Sequence, residues 1–303
     1  MSASAISRSE ADDEPFTSRF VTAQDGLKLH LRDYGSAATR RLPVVCLPGL
    51  SRNSTDFHLL AMTLAGQGER RVIALDYRGR GRSDYDPNPA NYTPAVETGD
   101  VITVLTALGI ARAVFVATSR GGILTMLLAA LRPTLIAGAV LNDIGPVIEP
   151  AGLLRIKGYV GKLPKPESFE QAAEGTRALF AAQFPTLTAQ DWLVEAKRSF
   201  KQVEGGLELT YDRALTRALE GVPHDGVLPP MWNQFDALGN IPLLVIRGGN
   251  SDILSGATVE AMRARRPDLQ FLEVPDQGHP PSLTDTETIS RIAAFVALCE
   301  AGQ

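Results

Sequence analysis

The chain has few of the residues that mark specialised classes of protein. Two cysteines, Cys46 and Cys299, occur among 303 residues and form no C-x-x-C pair, so a reducing compartment is favoured over a disulfide framework. The four histidines lack zinc-ligand spacing, so no metal site is expected. With 30 basic and 34 acidic residues the net charge is −4, and the basic field that nucleic acids require is missing.

Long apolar runs are also missing. The longest mostly apolar stretch, residues 122–131, is about half as long as the ~20 residues that a membrane-spanning helix needs. The first residues are polar and acidic, so residues 1–15 are expected to form a mobile tail and not a signal peptide. We therefore expect a soluble, cytoplasmic protein that acts on a small molecule without a cofactor. The oligomeric state is left open.

Strands and helices alternate along most of the chain. Short, β-branched apolar runs predict buried parallel strands at Pro43–Leu47, Val72–Asp76, Val114–Thr118, Ala137–Asn142, Pro242–Ile246 and Gln270–Val274. Helical patterns lie between them, and one starts at Thr93 with Pro94 in the first helical position. The alternation predicts an α/β fold with a doubly wound, mostly parallel sheet and helices on both faces.

One interval, residues 147–240, shows no convincing strand pattern and holds 9 of the 19 aromatic residues. A structureless connection of this length is implausible, so a helical insertion is predicted. We expect one sheet domain, formed by residues 16–146 and 241–303, with residues 147–240 inserted as a helical cap. Most of the aromatic residues are expected to form the cap's own core, and a few to face a pocket between cap and sheet.

The segment Val114–Gly122 carries the clearest chemical signal. A predicted strand leads directly into Ser119 and a helix follows it, with the small residues Ala117 and Gly121 two positions to either side. Such a sharp strand-to-helix turn strains its central residue and lifts the serine Oγ above the sheet as a nucleophile. A serine that only caps the helix is the simpler alternative. The small flanking residues favour the nucleophile.

A serine nucleophile needs a base and a group that orients the base. His279 lies after the last predicted strand, between a glycine and two prolines, which favours a catalytic base over an ordinary surface-loop histidine. Asp252, which follows the strand Pro242–Ile246, is predicted to be the acid that orients this histidine. Asp143, which follows the strand Ala137–Asn142, is the alternative acid.

Two backbone N–H groups are predicted to form an oxyanion hole. One belongs to Arg120, directly after the serine, and the other to Leu50, in a loop that follows an early core strand. Gly49 permits a tight turn in that loop, although a plain Pro-Gly turn is the simpler alternative.

The segment Asp76–Asp84, DYRGRGRSD, contains three arginines at alternate positions and two glycines. An anion-binding patch and a dinucleotide-binding loop are both conceivable. The third glycine of a dinucleotide loop is missing and no helix follows at once, so a structural turn is favoured.

Together these segments resemble the α/β-hydrolase fold family over about residues 20–300. LPGL is similar to its oxyanion loop, DYRGRGRSD to its D-x-R-G-x-G-x-S turn and ATSRGG to its nucleophile elbow, and RGGNSD and DQGHPP are similar to its acid and histidine segments. Pro48 stands where many members carry the histidine of an H-G motif. Relatives with an aspartate nucleophile are disfavoured because this elbow carries serine.

The resemblance implies a serine hydrolase, and an ester or lactone of a small, largely apolar molecule is the expected substrate, cleaved through an acyl-enzyme (EC 3.1.1). Hydrolysis of a carbon–carbon bond in a ring-cleavage diketone is one alternative. Acyl transfer and perhydrolysis can use the same triad. A ligand-binding receptor on the same fold is the non-enzymatic alternative.

Overall fold

The computed structural model describes residues 15–66 and 70–301, so nearly all of the expected N-terminal tail lies outside the described residues. The strands are β1 Phe16–Thr22, β2 Lys28–Tyr34, β3 Val44–Leu47, β4 Val72–Leu75, β5 Ala113–Thr118, β6 Ile136–Asn142, β7 Phe200–Val203, β8 Gly206–Leu209, β9 Leu243–Gly248 and β10 Gln270–Val274. The α-helices are α1 His58–Gly66, α2 Pro94–Ala107, α3 Arg120–Leu131, α4 Pro150–Tyr159, α5 Phe169–Phe180, α6 Ala189–Ser199, α7 Trp232–Asp236, α8 Gly256–Arg265 and α9 Thr286–Ala301.

Eight strands form one twisted sheet in the order β1-β2-β4-β3-β5-β6-β9-β10. The two pairings of β2 are antiparallel, and all other neighbours in this sheet are parallel. The carboxyl ends of β3, β5, β6 and β9 therefore meet at one edge, where Leu47 pairs with Ala117 and Asn142 pairs with Ile246. The predicted α/β class with a mostly parallel sheet is confirmed.

The central strands are apolar along their whole length because helices cover both faces of the sheet. Every residue of β3, β5 and β6 is buried. Alternate residues of one strand enter different cores: Phe115 packs in the core on one face, and Val114 packs on the other, where Phe295 of α9 also lies. Because successive side chains of a strand point to opposite faces of the sheet, one continuous apolar run contributes to both cores.

The interval between β6 and β9, residues 147–240, which we call the cap segment, contains helices α4 to α7 and also a hairpin of β7 and β8. The expectation of no strand in this interval is therefore wrong. Each strand has only four residues, and polar Lys201 and Gln202 interrupt the apolar pattern. Such a short strand has no apolar run by which the sequence could reveal it.

The last helix is tied to the sheet by a partly buried ion pair. Arg70 lies just before β4 and donates to Glu300 of α9, with Nη2 and Oε2 2.9 Å apart, and the backbone N–H of Leu42 donates to Oε1 at 3.0 Å. Burial alone would raise the pKa of Glu300. The hydrogen bonds and charge of Arg70 lower the pKa by more than burial raises it, so the net pKa lies below its ordinary value.

We expect Glu300→Gln to lower the free energy of unfolding by about 1 kcal/mol near pH 7, because it removes a charge-assisted hydrogen bond. A carboxyl whose pKa is depressed in the folded state stabilises the fold above its unfolded pKa of about 4.3, and this contribution is lost as the pH falls through the folded value. Urea unfolding at pH 7 and pH 3 should therefore show a difference from the wild type at the higher pH alone. The exposed turn residue Glu204, changed to Gln, serves as the control. Equal effects of both variants at pH 7 would contradict the assignment.

Candidate active site

Ser119 is the single residue between β5 and α3. Its φ is +50° and its ψ is −110°, a conformation that L-residues with side chains rarely adopt. A Cβ atom added at Gly121 would collide with the carbonyl oxygen of Leu47, so only glycine lets α3 start this close to β3. The segment forms the sharp elbow that its sequence predicts, and Ser119 lies at its apex.

His279 lies in the loop after β10 and contacts the serine. Its Nε2 is 2.8 Å from the Oγ of Ser119, and its Nδ1 is 2.8 Å from Oδ2 of Asp143. The histidine is 7% exposed and the aspartate is completely buried. The three side chains therefore form a continuous hydrogen-bonded chain in which the carboxylate accepts from Nδ1–H and leaves Nε2 to accept from the serine hydroxyl.

Asp143 directly follows β6 and also has a positive φ, +56°. The backbone N–H of Gly248 donates to its Oδ1 at 2.8 Å, and the hydroxyl of Ser251 donates to its Oδ2 at 2.5 Å. Both donors belong to the end of β9 and the loop after it. The sequence did not predict these two hydrogen bonds to Asp143, although Ser251 is the immediate neighbour of Asp252, the aspartate that the sequence favours.

The structure contradicts the prediction that Asp252 orients His279. Arg155 of α4 binds both carboxylate oxygens of Asp252, at 2.6 and 2.8 Å, and so ties the cap segment to the sheet. Burial raises the pKa of Asp252, but the hydrogen bonds and charge of Arg155 outweigh it, and the net pKa is below its ordinary value. The alternative acid, Asp143, contacts the histidine instead, with its Oδ2 2.8 Å from Nδ1 of His279.

The two residues predicted to supply the oxyanion hole flank the serine. Arg120 is the first residue of α3, where the leading N–H groups of a helix have no intrahelical partner. Leu50 lines the same cavity as Ser119, and a Cβ added at the neighbouring Gly49 would lie 3.9 Å from the Cβ of the serine. The loop after β3 and the start of α3 therefore both lie next to Ser119.

Two of the three arginines in the Asp76–Asp84 segment, Arg78 and Arg80, are buried, and Arg82 is exposed. Arg78 is 2% exposed and binds the carboxylates of Asp86 and Asp100 at 2.6 and 2.7 Å. Arg80 is fully buried. Side chains held inside the protein in this way are not available to an external anion, which agrees with the interpretation of the segment as a structural turn.

A cavity of about 350 Å³ lies between the carboxyl edge of the sheet and the cap segment, with Ser119 and His279 in its wall. Six of the nine aromatic residues of the cap segment line it: Tyr159, Phe180, Phe184, Trp192, Phe200 and Tyr211. More of them face the cavity than the sequence led us to expect. The volume is that of a small-molecule pocket with an apolar wall.

Four charged side chains in the cavity wall, Arg52, Asp56, Glu195 and Arg198, compensate one another, whereas Asp191, also in the wall, is hydrogen-bonded to Thr188. Arg52, in the loop after β3, binds Asp56 through two hydrogen bonds of 2.6 and 2.8 Å and binds Glu195 of α6 at 2.8 Å. Arg198 also binds Glu195, at 2.7 Å. Two positive and two negative groups thus meet there, and they join the cap segment to the loop that carries Leu50.

A second Ser–His–Asp chain lies elsewhere in the protein. Ser18 on β1 is 2.8 Å from Nε2 of His30, whose Nδ1 is 2.7 Å from Asp76. Ser18 lies on an edge strand with ordinary extended backbone, and neither it nor His30 lines the cavity described above. The distances alone do not make this arrangement reactive, because it has no elbow and no helix behind the serine.

Within residues 15–66 and 70–301, no group of three or more histidine, cysteine or acidic side chains is arranged to hold a metal ion. In the same part of the chain, no helix is both long and apolar enough to cross a membrane.

Comparison with known proteins identifies the family to which this fold belongs. A model of the family described as "Alpha/beta hydrolase family" matches residues 44–292. A 3-hydroxybutyrate-oligomer hydrolase from Cupriavidus necator is 31% identical over 275 residues, which cover 88% of this chain and 92% of that protein. A 2-(acetamidomethylene)succinate hydrolase from Mesorhizobium japonicum is 26% identical over 89% of this chain and 92% of its own length.

A crystal structure of an alpha/beta hydrolase from Novosphingobium aromaticivorans has a TM-score of 0.86 and 41% sequence identity, and the match covers 93% of this chain and 98% of that chain. The family match spans well over half of the sequence and contains Leu50, Ser119, Asp143 and His279. With its eight-stranded sheet and the serine elbow after β5, this chain belongs to the alpha/beta hydrolase family and is a hydrolase.

Proposed function

We propose that this chain is a serine hydrolase that cleaves carboxylic esters of small, largely apolar molecules. The observation that carries the proposal is the hydrogen-bonded chain of Ser119, His279 and Asp143 at the wall of an aromatic-lined cavity. A nucleophile, a base and a group that orients the base are the parts that acyl transfer through a serine requires.

In the proposed reaction, Oγ of Ser119 attacks the ester carbonyl carbon while Nε2 of His279 takes the hydroxyl proton. The carbonyl electrons move to oxygen, and the N–H groups of Leu50 and Arg120 stabilise the resulting oxyanion. The tetrahedral intermediate collapses, and the alcohol leaves with the proton from the histidine. Water then attacks the acyl-enzyme, His279 accepts its proton, and the acid departs as the serine is restored. Asp143 holds the imidazole in the required tautomer throughout.

Two observations support an ester of modest size with an uncharged reacting part. The cavity volume of about 350 Å³ is at the lower end of those that hold small ligands. The charges of Arg52 and Arg198 are matched by Asp56 and Glu195, so the cavity offers aromatic surface and no unpaired ion among these four groups. The relative that is named for hydrolysing 3-hydroxybutyrate oligomers, whose units are joined by ester bonds, supports the same bond type.

We expect a fluorophosphonate probe to label the wild type and not Ser119→Ala, because the probe reacts only with an activated serine. The matched control is Ser18→Ala, which removes the serine of the other Ser–His–Asp chain and should leave the labelling intact. Labelling is measured by intact-protein mass spectrometry. If a folded wild type stays unlabelled, or if the label is lost in Ser18→Ala and kept in Ser119→Ala, the assignment of the nucleophile fails.

Replacing Asp143 and Asp252 in turn by asparagine tests which of them is the acid that orients His279. Asp143→Asn should lower kcat for a p-nitrophenyl ester by about 10⁴-fold, because an amide no longer holds the histidine in the productive tautomer. Asp252→Asn removes a partner of Arg155 and should leave kcat within about threefold of the wild type, since a partly exposed ion pair contributes little. Circular dichroism of both variants should match that of the wild type, as a control for folding. The reverse pattern of kcat values would return the acid role to Asp252.

A substrate panel tests the bond type. We expect hydrolysis of p-nitrophenyl esters with short acyl chains, of 3-hydroxybutyrate oligomers and of a lactone of similar size, with much lower rates for a ring-cleavage diketone. Product analysis by chromatography separates hydrolysis from transfer to an added alcohol. Faster cleavage of the diketone than of every ester would replace the ester proposal by carbon–carbon bond hydrolysis.

A further inference from the structure

The two N–H groups of the proposed oxyanion hole come from the loop after β3 and from the first residue of α3, and one buried carboxylate is connected to both residues. Glu97 of α2 is completely buried. Its Oε2 is 2.7 Å from Nε of Arg120, the residue after the nucleophile, and its Oε1 is 2.7 Å from Nη1 of Arg80. Burial alone would raise the pKa of Glu97. The charges of the two arginines lower the pKa by more than burial raises it, so the carboxylate is ionised.

Arg80 continues this connection to the other loop. Its Nε donates to the backbone carbonyl of Leu50 at 2.8 Å, and its guanidinium lies 5.5 Å from the ring centres of both Tyr77 and Tyr92. Arg80 is fully buried and so has little room to move. The carbonyl that follows the Leu50 N–H along the chain is thereby held.

The carbonyl that precedes this N–H by one peptide is held as well. The hydroxyl of Tyr77 donates to the carbonyl oxygen of Pro48 at 3.2 Å. Burial and the charge of Glu97 raise the pKa of Tyr77 well above its ordinary value, so the hydroxyl remains protonated and able to donate. The peptide that carries the Leu50 N–H thus lies between two carbonyls that buried side chains hold in place.

We propose that Arg80, Glu97 and the side chain of Arg120 form a buried bridge that sets the distance and direction between the two oxyanion donors, and that the hydroxyl of Tyr77, which holds the Pro48 carbonyl, is part of it. They are positioning residues for the transition state and do not touch the substrate. This inference rests on the proposed function, because it assumes that the N–H groups of Leu50 and Arg120 bind the oxyanion.

A positioning role and a purely electrostatic role of Glu97 predict opposite changes of kcat in Glu97→Gln. Two arginines and one glutamate leave a net positive charge behind the oxyanion, where low dielectric makes charge effective. If charge alone mattered, Glu97→Gln would add to that positive charge and raise kcat. If the carboxylate holds the two donors in register, the same change loosens them and lowers kcat.

The experiment measures kcat, KM and the affinity for an alkyl boronic acid in the wild type and in Glu97→Gln. The boronic acid forms a tetrahedral adduct on the serine and so reports on the oxyanion hole. We expect kcat to fall by roughly 10- to 100-fold and the boronate affinity to fall by a similar factor, since loss of a whole donor costs about 10²- to 10³-fold. KM should stay within about twofold of the wild type.

The matched control is Asp33→Asn. Asp33 is also a buried carboxylate between two arginines: it binds Arg19 at 2.7 Å and Arg71 at 2.9 Å on the antiparallel side of the sheet. This change should lower the melting temperature and leave kcat and boronate affinity unchanged. A merely structural role of Glu97 would give the same result as Asp33→Asn.

Tyr77→Phe provides a second variant that leaves every buried charge in place. It removes only the hydrogen bond to Pro48 and should lower kcat and boronate affinity by about two- to tenfold, the range for one neutral hydrogen bond. It keeps the inference testable if Glu97→Gln does not fold.

Folded Glu97→Gln or Tyr77→Phe enzymes with the kcat and boronate affinity of the wild type would overturn the bridge, while Ser119→Ala remains inactive and the proposed function stands. A rise of kcat in Glu97→Gln would also overturn it. If the wild type itself is neither labelled by the fluorophosphonate nor active on any ester, the proposed function fails and the bridge fails with it.

Discussion

At Ser119 the chain passes from a strand to a helix within one residue, and the positive φ of that residue costs on the order of 1–3 kcal/mol. Close packing holds it there. Gly121 and Gly122 let α3 lie directly against Leu47 at the end of β3 and against Ile144 after β6. The same packing that keeps the serine strained therefore also fixes the separation of the loops that surround it.

The parallel sheet explains why these loops can cooperate. Leu50, Ser119 and Asp143 follow three neighbouring strands, β3, β5 and β6, and the carboxyl ends of those strands share one edge. The cap segment begins four residues after Asp143 and returns to the sheet at β9. Because of this insertion point, the cap segment covers the serine and supplies most of the cavity wall.

Much of the fold could be predicted from the sequence, because continuous apolar runs and glycine-flanked turns report directly on buried parallel strands and on the elbow. The hairpin of β7 and β8 could not, since its strands are short and polar. The order of the motifs along the chain identified Ser119 and His279 but favoured Asp252 as the acid. A sequence shows that a residue follows a strand, but it does not show in which direction the loop then carries that residue. Glu97 lies within a helix, and no local pattern links it to Arg80 and Arg120.

The Ser18–His30–Asp76 chain bears on how catalytic sites are found by geometric search. Its two hydrogen-bond lengths match those of the Ser119 chain to within about 0.1 Å, so a template built only on these distances would return two sites from this one protein. Two further features distinguish the Ser119 chain from the Ser18 chain: the positive φ of Ser119 and the cavity beside it. A search that includes the φ of the serine would reject the arrangement on β1 without any knowledge of family or function.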